Sequence, residues 1–158
     1  MPDSSAIDAA VIGVLAADPA LTALMPGGVY YQVAPPNSQQ FVIVSIADSV
    51  DRPMFGGRAW ESVLYLVKAV EFSSPTVLNS NARAAAERID TLLDPQPPAP
   101  PATLTIDGYG LMAMQREGQR VRDTETDAID ATVRWAHRGA HYRVFAIAGL
   151  NGRGTHNG

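Results

Sequence analysis

The chain has no cysteine, a single lysine (Lys68) and no basic residue before Arg52. Without thiols there can be no disulfide and no thiolate metal site, and the redox compartment is left undetermined. With lysine so scarce, nearly every cation is an arginine. Arginine offers a planar fork of donors suited to interfaces, whereas lysine is the usual solubilising residue. This balance points to a protein that spends its working life among neighbours. No segment gathers many basic residues without interspersed acids, so the sequence does not support a basic face for nucleic-acid recognition. No apolar run has the length of a membrane span. Ala6–Ala17 is apolar enough for a leader, but it has no basic flank and is bracketed by Asp8 and Asp18. The cytoplasm is therefore the expected site of synthesis.

The composition is otherwise that of a globular chain: of 158 residues, 46% are hydrophobic and 18% charged, enough for one buried core. The charge is uneven, since Asp3, Asp8, Asp18, Asp48 and Asp51 all precede the first arginine. Ser5 can cap a first helix, with Asp8 placed to reach back and Ile7, Val11, Val14 and Leu15 on one face. Asp18-Pro19 stops that helix and starts a short second one over Ala20–Met25. Strands are expected at Val29–Val33, Phe41–Ala47 and Trp60–Phe72, with Ser49–Arg58 a loop containing Pro53 and Gly56-Gly57. The stripe Leu78, Ala82, Ala85, Ala86, Ile89, Leu92 and Leu93 predicts a helix over Pro75–Leu93, closed by the Pro-rich Asp94–Pro101.

Further strands are expected at Thr103–Ile106, Gly110–Arg116, Ile129–Trp135 and Tyr142–Ala148. Between them, Glu117–Asp127 reads as a protruding hairpin tip and Gly139 as a turn. The order predicts an α+β fold, a mainly antiparallel sheet with two principal helices on one face. Residues 1–149 are expected to form one domain, with 150–158 an unordered tail.

Candidate chemistry is thin. Gly108-Tyr109-Gly110-Leu111-Met112-Ala113 matches a G-x-G-x-x-A dinucleotide pattern, with Asp130 downstream. That fingerprint needs a helix opening on the second glycine, and none is expected before Ile129, so a glycine turn between strands is the better reading. His137 and His141 have the spacing of a helical zinc pair, yet Gly139 lies between them and no H-E-x-x-H surrounds them. They read as histidines flanking a bend. There is no G-x-S-x-G, no P-loop, and all three histidines fall in the last quarter of the chain. No catalytic residue, cofactor or metal is therefore expected, and the chain reads as a non-enzyme.

Two segments suggest contacts. Met54 and Phe55, flanked by Arg52 and Arg58, put apolar side chains into a polar loop. Arg116, Arg120, Arg122, Asp123, Glu125 and Asp127 run from basic to acidic in order, as a complementary contact between subunits would require.

One resemblance rests on four segments. The first is Ala6–Pro36, with Asp18-Pro19-Ala20-Leu21-Thr22-Ala23-Leu24, then Gly28-Val29-Tyr30 and Ala34-Pro35. The second is the strand Phe41–Ile46 with its following partner Leu64–Ala69. The third is Ala82–Leu93, containing Ala84-Ala85-Ala86-Glu87-Arg88-Ile89, and the last is Gly139-Ala140-His141-Tyr142-Arg143-Val144. In this progression the chain resembles the tail completion (tail terminator) proteins of long-tailed bacteriophages, from about Ala6 to Ala148.

The resemblance implies a virion protein at the tail–neck junction, assembled in the host cytoplasm. It would form a homo-hexameric ring that caps the tail tube, stops polymerisation of the major tail tube protein and meets the head connector. DNA would cross its channel without sequence-specific binding, and no membrane would be involved. Two alternatives remain open: a head-closure or head–tail adaptor protein of the phage neck, and a small hydrolase using one of the histidines.

Overall fold

The computed structural model describes residues 5–54, 57–73 and 80–149. The chain opens with helices α1 (Ser5–Ala16) and α2 (Pro19–Leu24). Strands β1 (Val29–Tyr31), β2 (Gln40–Met54) and β3 (Gly57–Ser73) follow. Helix α3 (Ser80–Leu93) leads to strands β4 (Tyr109–Thr126) and β5 (Arg134–Ala148). The strands form a five-stranded sheet in the order β1-β2-β3-β5-β4. The β1–β2 pair is parallel and every other pair antiparallel. The α+β fold is thus as expected, with a mixed sheet and the short helix α2 beside the two principal helices α1 and α3.

One face of the sheet carries the core. Val63, Tyr65, Val67 and Ala69 of β3 alternate with outward residues. They face the same way as their register partners Val144, Tyr142 and Ala140 of β5 and Val44 and Val42 of β2. Against them pack Ile7, Val11 and Leu15 of α1, Leu21 of α2, and Ala82, Ala85, Ile89 and Leu93 of α3. A period of two meeting a period of 3.6 is what makes this a single layer of helices on a sheet.

The α2 start is built as its sequence suggests. Asp18 is the N-cap, its carboxylate accepting from the Leu21 N–H at 2.8 Å, and Pro19 occupies the first turn. The same carboxylate takes both arms of Arg88 from α3, at 2.9 and 2.6 Å, tying the two helices together.

Five local expectations are corrected. Residues 49–54 and 57–58 are strand, not loop: β2 runs to Met54 and pairs it with Gly57. Pro53 is tolerated there because β1 covers only Val42–Val44, so β2 is an edge at residue 53 and needs no donor on that side. Residues 117–126 are the second half of β4, not a tip. The tip is instead residues 127–133, where Asp127 accepts from the Ile129 and Asp130 N–H groups and Asp130 from Thr132. Ile129, expected in a strand, is therefore 97% exposed on a turn.

Gly139 is no turn either. It lies mid-strand in β5 opposite Lys68, where a Cβ would stand 1.9 Å from the Val67 carbonyl oxygen. Only a residue without a side chain lets these two backbones approach so closely. Finally, Thr103–Ile106 contributes only an isolated bridge, Ile106 to Tyr109. The expected helix start at Pro75 falls outside the described residues.

Candidate functional site: an assembly surface

The register places the two hairpin turns at opposite ends of the sheet. Ser73 pairs with Arg134, so the 127–133 turn lies at the Gln40/Ser73 end. Glu61 pairs with Ala146, so the β2–β3 turn projects from the other end. The backbones of Arg52, Met54 and Arg58 belong to that second projection. Their side chains, and all of Phe55, lie outside the described residues.

The charged residues of β4 divide by face. Arg116 pairs with Tyr142 in register and turns toward α3, where its guanidinium meets both oxygens of Asp90 at 3.1 and 3.0 Å. Glu117 pairs with His141 and the next pair is Val121 with Gly139, so residues 118–120 bulge out. Gly118 takes φ +75° in that bulge, and Arg120 reaches Asp90 at 3.5 Å. The Tyr142 hydroxyl donates to the same carboxylate at 2.9 Å. Arg116 thus holds the sheet to α3 within one chain, a role that its place in a charge-ordered run did not reveal. Arg122, Asp123 and Glu125 are exposed, while Asp127 is half-buried and accepts from the Trp135 indole N–H at 2.9 Å. That bond and two backbone N–H groups hold the Asp127 carboxyl below the usual carboxylate range.

His137 and His141 share the helix-free face of β5 instead of flanking a bend. Burial, with Lys68 nearby, pushes the His137 imidazole below its usual value, so it is neutral at pH 7. Its Nε2 stands 3.5 Å from a Glu125 oxygen. No group of three His, Cys, Asp or Glu fit to hold a metal occurs among the described residues. Beside this pair Trp135 packs against Phe72 at 5.0 Å and Phe41 at 6.3 Å, and Trp60 against Phe145 at 5.9 Å. Arg143 crosses the same face, bonding Glu117 and donating to the Ser62 hydroxyl at 2.7 Å. The face is an aromatic and ionic surface, and among the described residues nothing on it is arranged as nucleophile and base. The glycine pattern at Gly108–Ala113 opens a strand rather than a helix, so it has no phosphate-binding N-terminus.

No protein-family model and no curated protein matches the sequence. The fold does have solved counterparts. A chain of the virion of a native gene transfer agent particle aligns with a TM-score of 0.65 and 20% identity. The alignment covers 92% of this chain and 97% of that one. A second solved chain aligns with a TM-score of 0.54 and 16% identity, over 91% of this chain and 96% of its own. At these identities the likeness establishes a shared fold.

Proposed function

We propose that the protein is a structural component of a phage-like virion, and specifically the ring that ends a tail tube. The observation that carries the reading is the near end-to-end fold match to a chain of a gene transfer agent virion. The segment order from Ala6 to Ala148, resembling tail terminators, supports the finer assignment. A tube of stacked rings grows as long as its end accepts another ring. A terminator must match that end on one side and differ from it on the other. The sheet supplies unlike material for this, since its turns project from opposite ends, one closing β2–β3 and one rich in Asp127 and Asp130. The protein works by shape and edge complementarity, without catalysis. Its net charge of −4 suits a channel that lets DNA pass, because strong phosphate attraction would retain the genome.

Deleting the gene tests this directly by electron microscopy of lysates. The expected result is DNA-filled heads without tails, beside tubes of irregular or excessive length. Tails of normal length that fail to join heads would assign the protein to the neck as an adaptor. Normal infectious particles would overturn the structural reading.

A further inference from the structure

Arg122 of β4 and Arg138 of β5 stand directly opposite each other in the strand register. Like charges so placed repel each other. Both line a cleft of about 390 Å³ between α3 and the β4–β5 pair, together with Arg83 of α3 and Arg120 of the β4 bulge; Glu87 is the one acid in the lining. Arg138 donates to the carbonyls of Asp123 and His137, at 2.8 and 2.9 Å, which fix its position but leave its charge in place. Arg120 reaches Asp90 only at 3.5 Å, and that carboxylate already accepts from Arg116 and Tyr142. Arg83 and Arg122 are exposed and have no hydrogen-bond or ion-pair partner among the described residues. A chain of net charge −4 thus sets four cations against one acid in a single cleft.

The cations come from three elements packed on one another, so the positive field belongs to the fold and not to one mobile segment. An anion between Arg122 and Arg138 relieves their repulsion. A single planar carboxylate offers two oxygens, enough for one guanidinium fork. A phosphate group carries up to two charges and three acceptor oxygens, so forks arriving from different elements can each take a separate edge. The cleft has the volume of a small-ligand site, which runs from about 300 to 1,000 Å³. Among the described residues its lining holds no aromatic side chain on which a base could stack, so the phosphate itself is what the cleft recognises.

We propose that the Arg83/Arg120/Arg122/Arg138 cleft binds a phosphate group, carried by a small phosphorylated ligand or by a nucleic-acid backbone. The site goes beyond the ring reading and needs no second copy of the chain. It accounts for the opposed arginines of β4 and β5 and for the two cations without a partner. Because the cleft is open to solvent, binding weakens as salt is raised.

The test is isothermal titration calorimetry of the full chain at low salt, with pyrophosphate as the probe. The natural chain should bind it, and R83Q/R122Q should bind about tenfold or more weakly. Neither side chain has a partner to lose, so circular dichroism and the thermal midpoint of that variant should match the natural chain. K68Q/R134Q removes the same charge away from the cleft and should bind as the natural chain does. A short DNA duplex, titrated alone and in competition with pyrophosphate, separates the two sources. A duplex that binds, is displaced by pyrophosphate and is lost in R83Q/R122Q assigns the phosphate to a nucleic-acid backbone; pyrophosphate binding without duplex binding assigns it to a small ligand. The proposal is overturned if the natural chain binds neither probe, or if R83Q/R122Q binds as tightly as the natural chain. Citrate bound as tightly as pyrophosphate would also overturn it, since the cleft would then take any multivalent anion. None of these outcomes bears on the tail-ending role, which gene deletion tests separately.

Discussion

The two faces of the sheet bury their polar groups in different ways. On the helix-bearing face Tyr65, Tyr109 and Tyr142 are almost fully buried, and each hydroxyl ends on a carboxylate: Asp8, Glu61 and Asp90 respectively. Burial beside Asp8 and Asp90 drives the Tyr65 and Tyr142 hydroxyls far above their ordinary value, so they remain donors at any physiological pH. Glu71, also buried, accepts from the Ala82 N–H at the start of α3 and from Gln40. Each of these pairs joins the sheet to a helix or one strand to another, in the case of Tyr109 and Glu61 across the intervening β5, and satisfied buried groups specify one arrangement. The helix-free face spends its polar groups differently. Arg143 and Glu117 pair in a half-exposed setting, and the aromatic contacts lie along the sheet, joining no second layer to it. Stability is therefore concentrated on one face, and the other is open to neighbours.

Substitutions along this divide should have graded effects. The largest is expected from Ile89→Ala in α3, which empties a fully buried site between helix and sheet. A loss of about 2–5 kcal/mol in urea unfolding is anticipated. A loss below about 1 kcal/mol would mean that α3 is not the main cover of the sheet. Next is Gly139→Ala, which forces a Cβ onto the Val67 carbonyl. Strand displacement should cost about 1–3 kcal/mol, and an unchanged thermal midpoint would contradict the close approach of β3 and β5.

Third is Asp18→Asn, which weakens both the α2 cap and the Arg88 bridge, at an expected cost of about 0.5–2 kcal/mol near neutral pH. Asp18 also gives the fold an acid sensitivity. The hydrogen bonds from Arg88 hold its folded carboxyl below the usual carboxylate range. Its contribution is therefore complete above the unfolded value of about 3.9 and is lost as pH falls through the depressed folded value. In Asp18→Asn the acid limb of the stability profile should be shallower, and an identical limb would remove Asp18 from the account. The smallest effect belongs to Ile129→Ser on the open turn, expected within about 0.5 kcal/mol of neutral. A larger loss would show that the turn packs against something.

Much of the helix-bearing face could be read in the sequence, because periodicity reports burial directly. The stripes Ile7–Leu15 and Ala82–Leu93, the Asp18-Pro19 start and the apolar alternation of Val63–Ala69 all correspond to observed elements. The misreadings cluster in long strands that carry turn-forming residues. Pro53 suggested a loop, yet an edge strand has no need of the missing donor. Gly139 suggested a bend, yet its lack of a side chain serves strand packing; the alternation of Ala136, Ala140, Tyr142, Val144 and Ala146 across it was the available signal. Ile129 and Val133 imitated a strand, while of the aspartates that build the turn Asp127 was read as one end of a charge gradient and Asp130 only as the acid downstream of the glycine pattern. Arg120 and Arg122 stood out in their run, but that Arg83 of α3 and Arg138 of β5 line one cleft with them follows only from the packing of α3 on β4 and β5, which local pattern does not encode.

The seam between β3 and β5 also governs how the molecule comes together in time. Each hairpin pairs residues close in sequence, Met54 with Gly57 and Thr126 with Arg134, so each can zip on its own. The seam is different. It brings Glu61 to Ala146 and Ser73 to Arg134 across an intervening helix, a proline-rich connector and a whole strand. Closing so long a loop carries an entropic cost before any contact offsets it, so this docking is the expected slow step of folding. Until it occurs, the chain holds two half-sheets, each with an uncovered edge ready to pair with the wrong partner. On the ring proposal the order of events would matter: the internal seam would have to close before the outer edges find their neighbours.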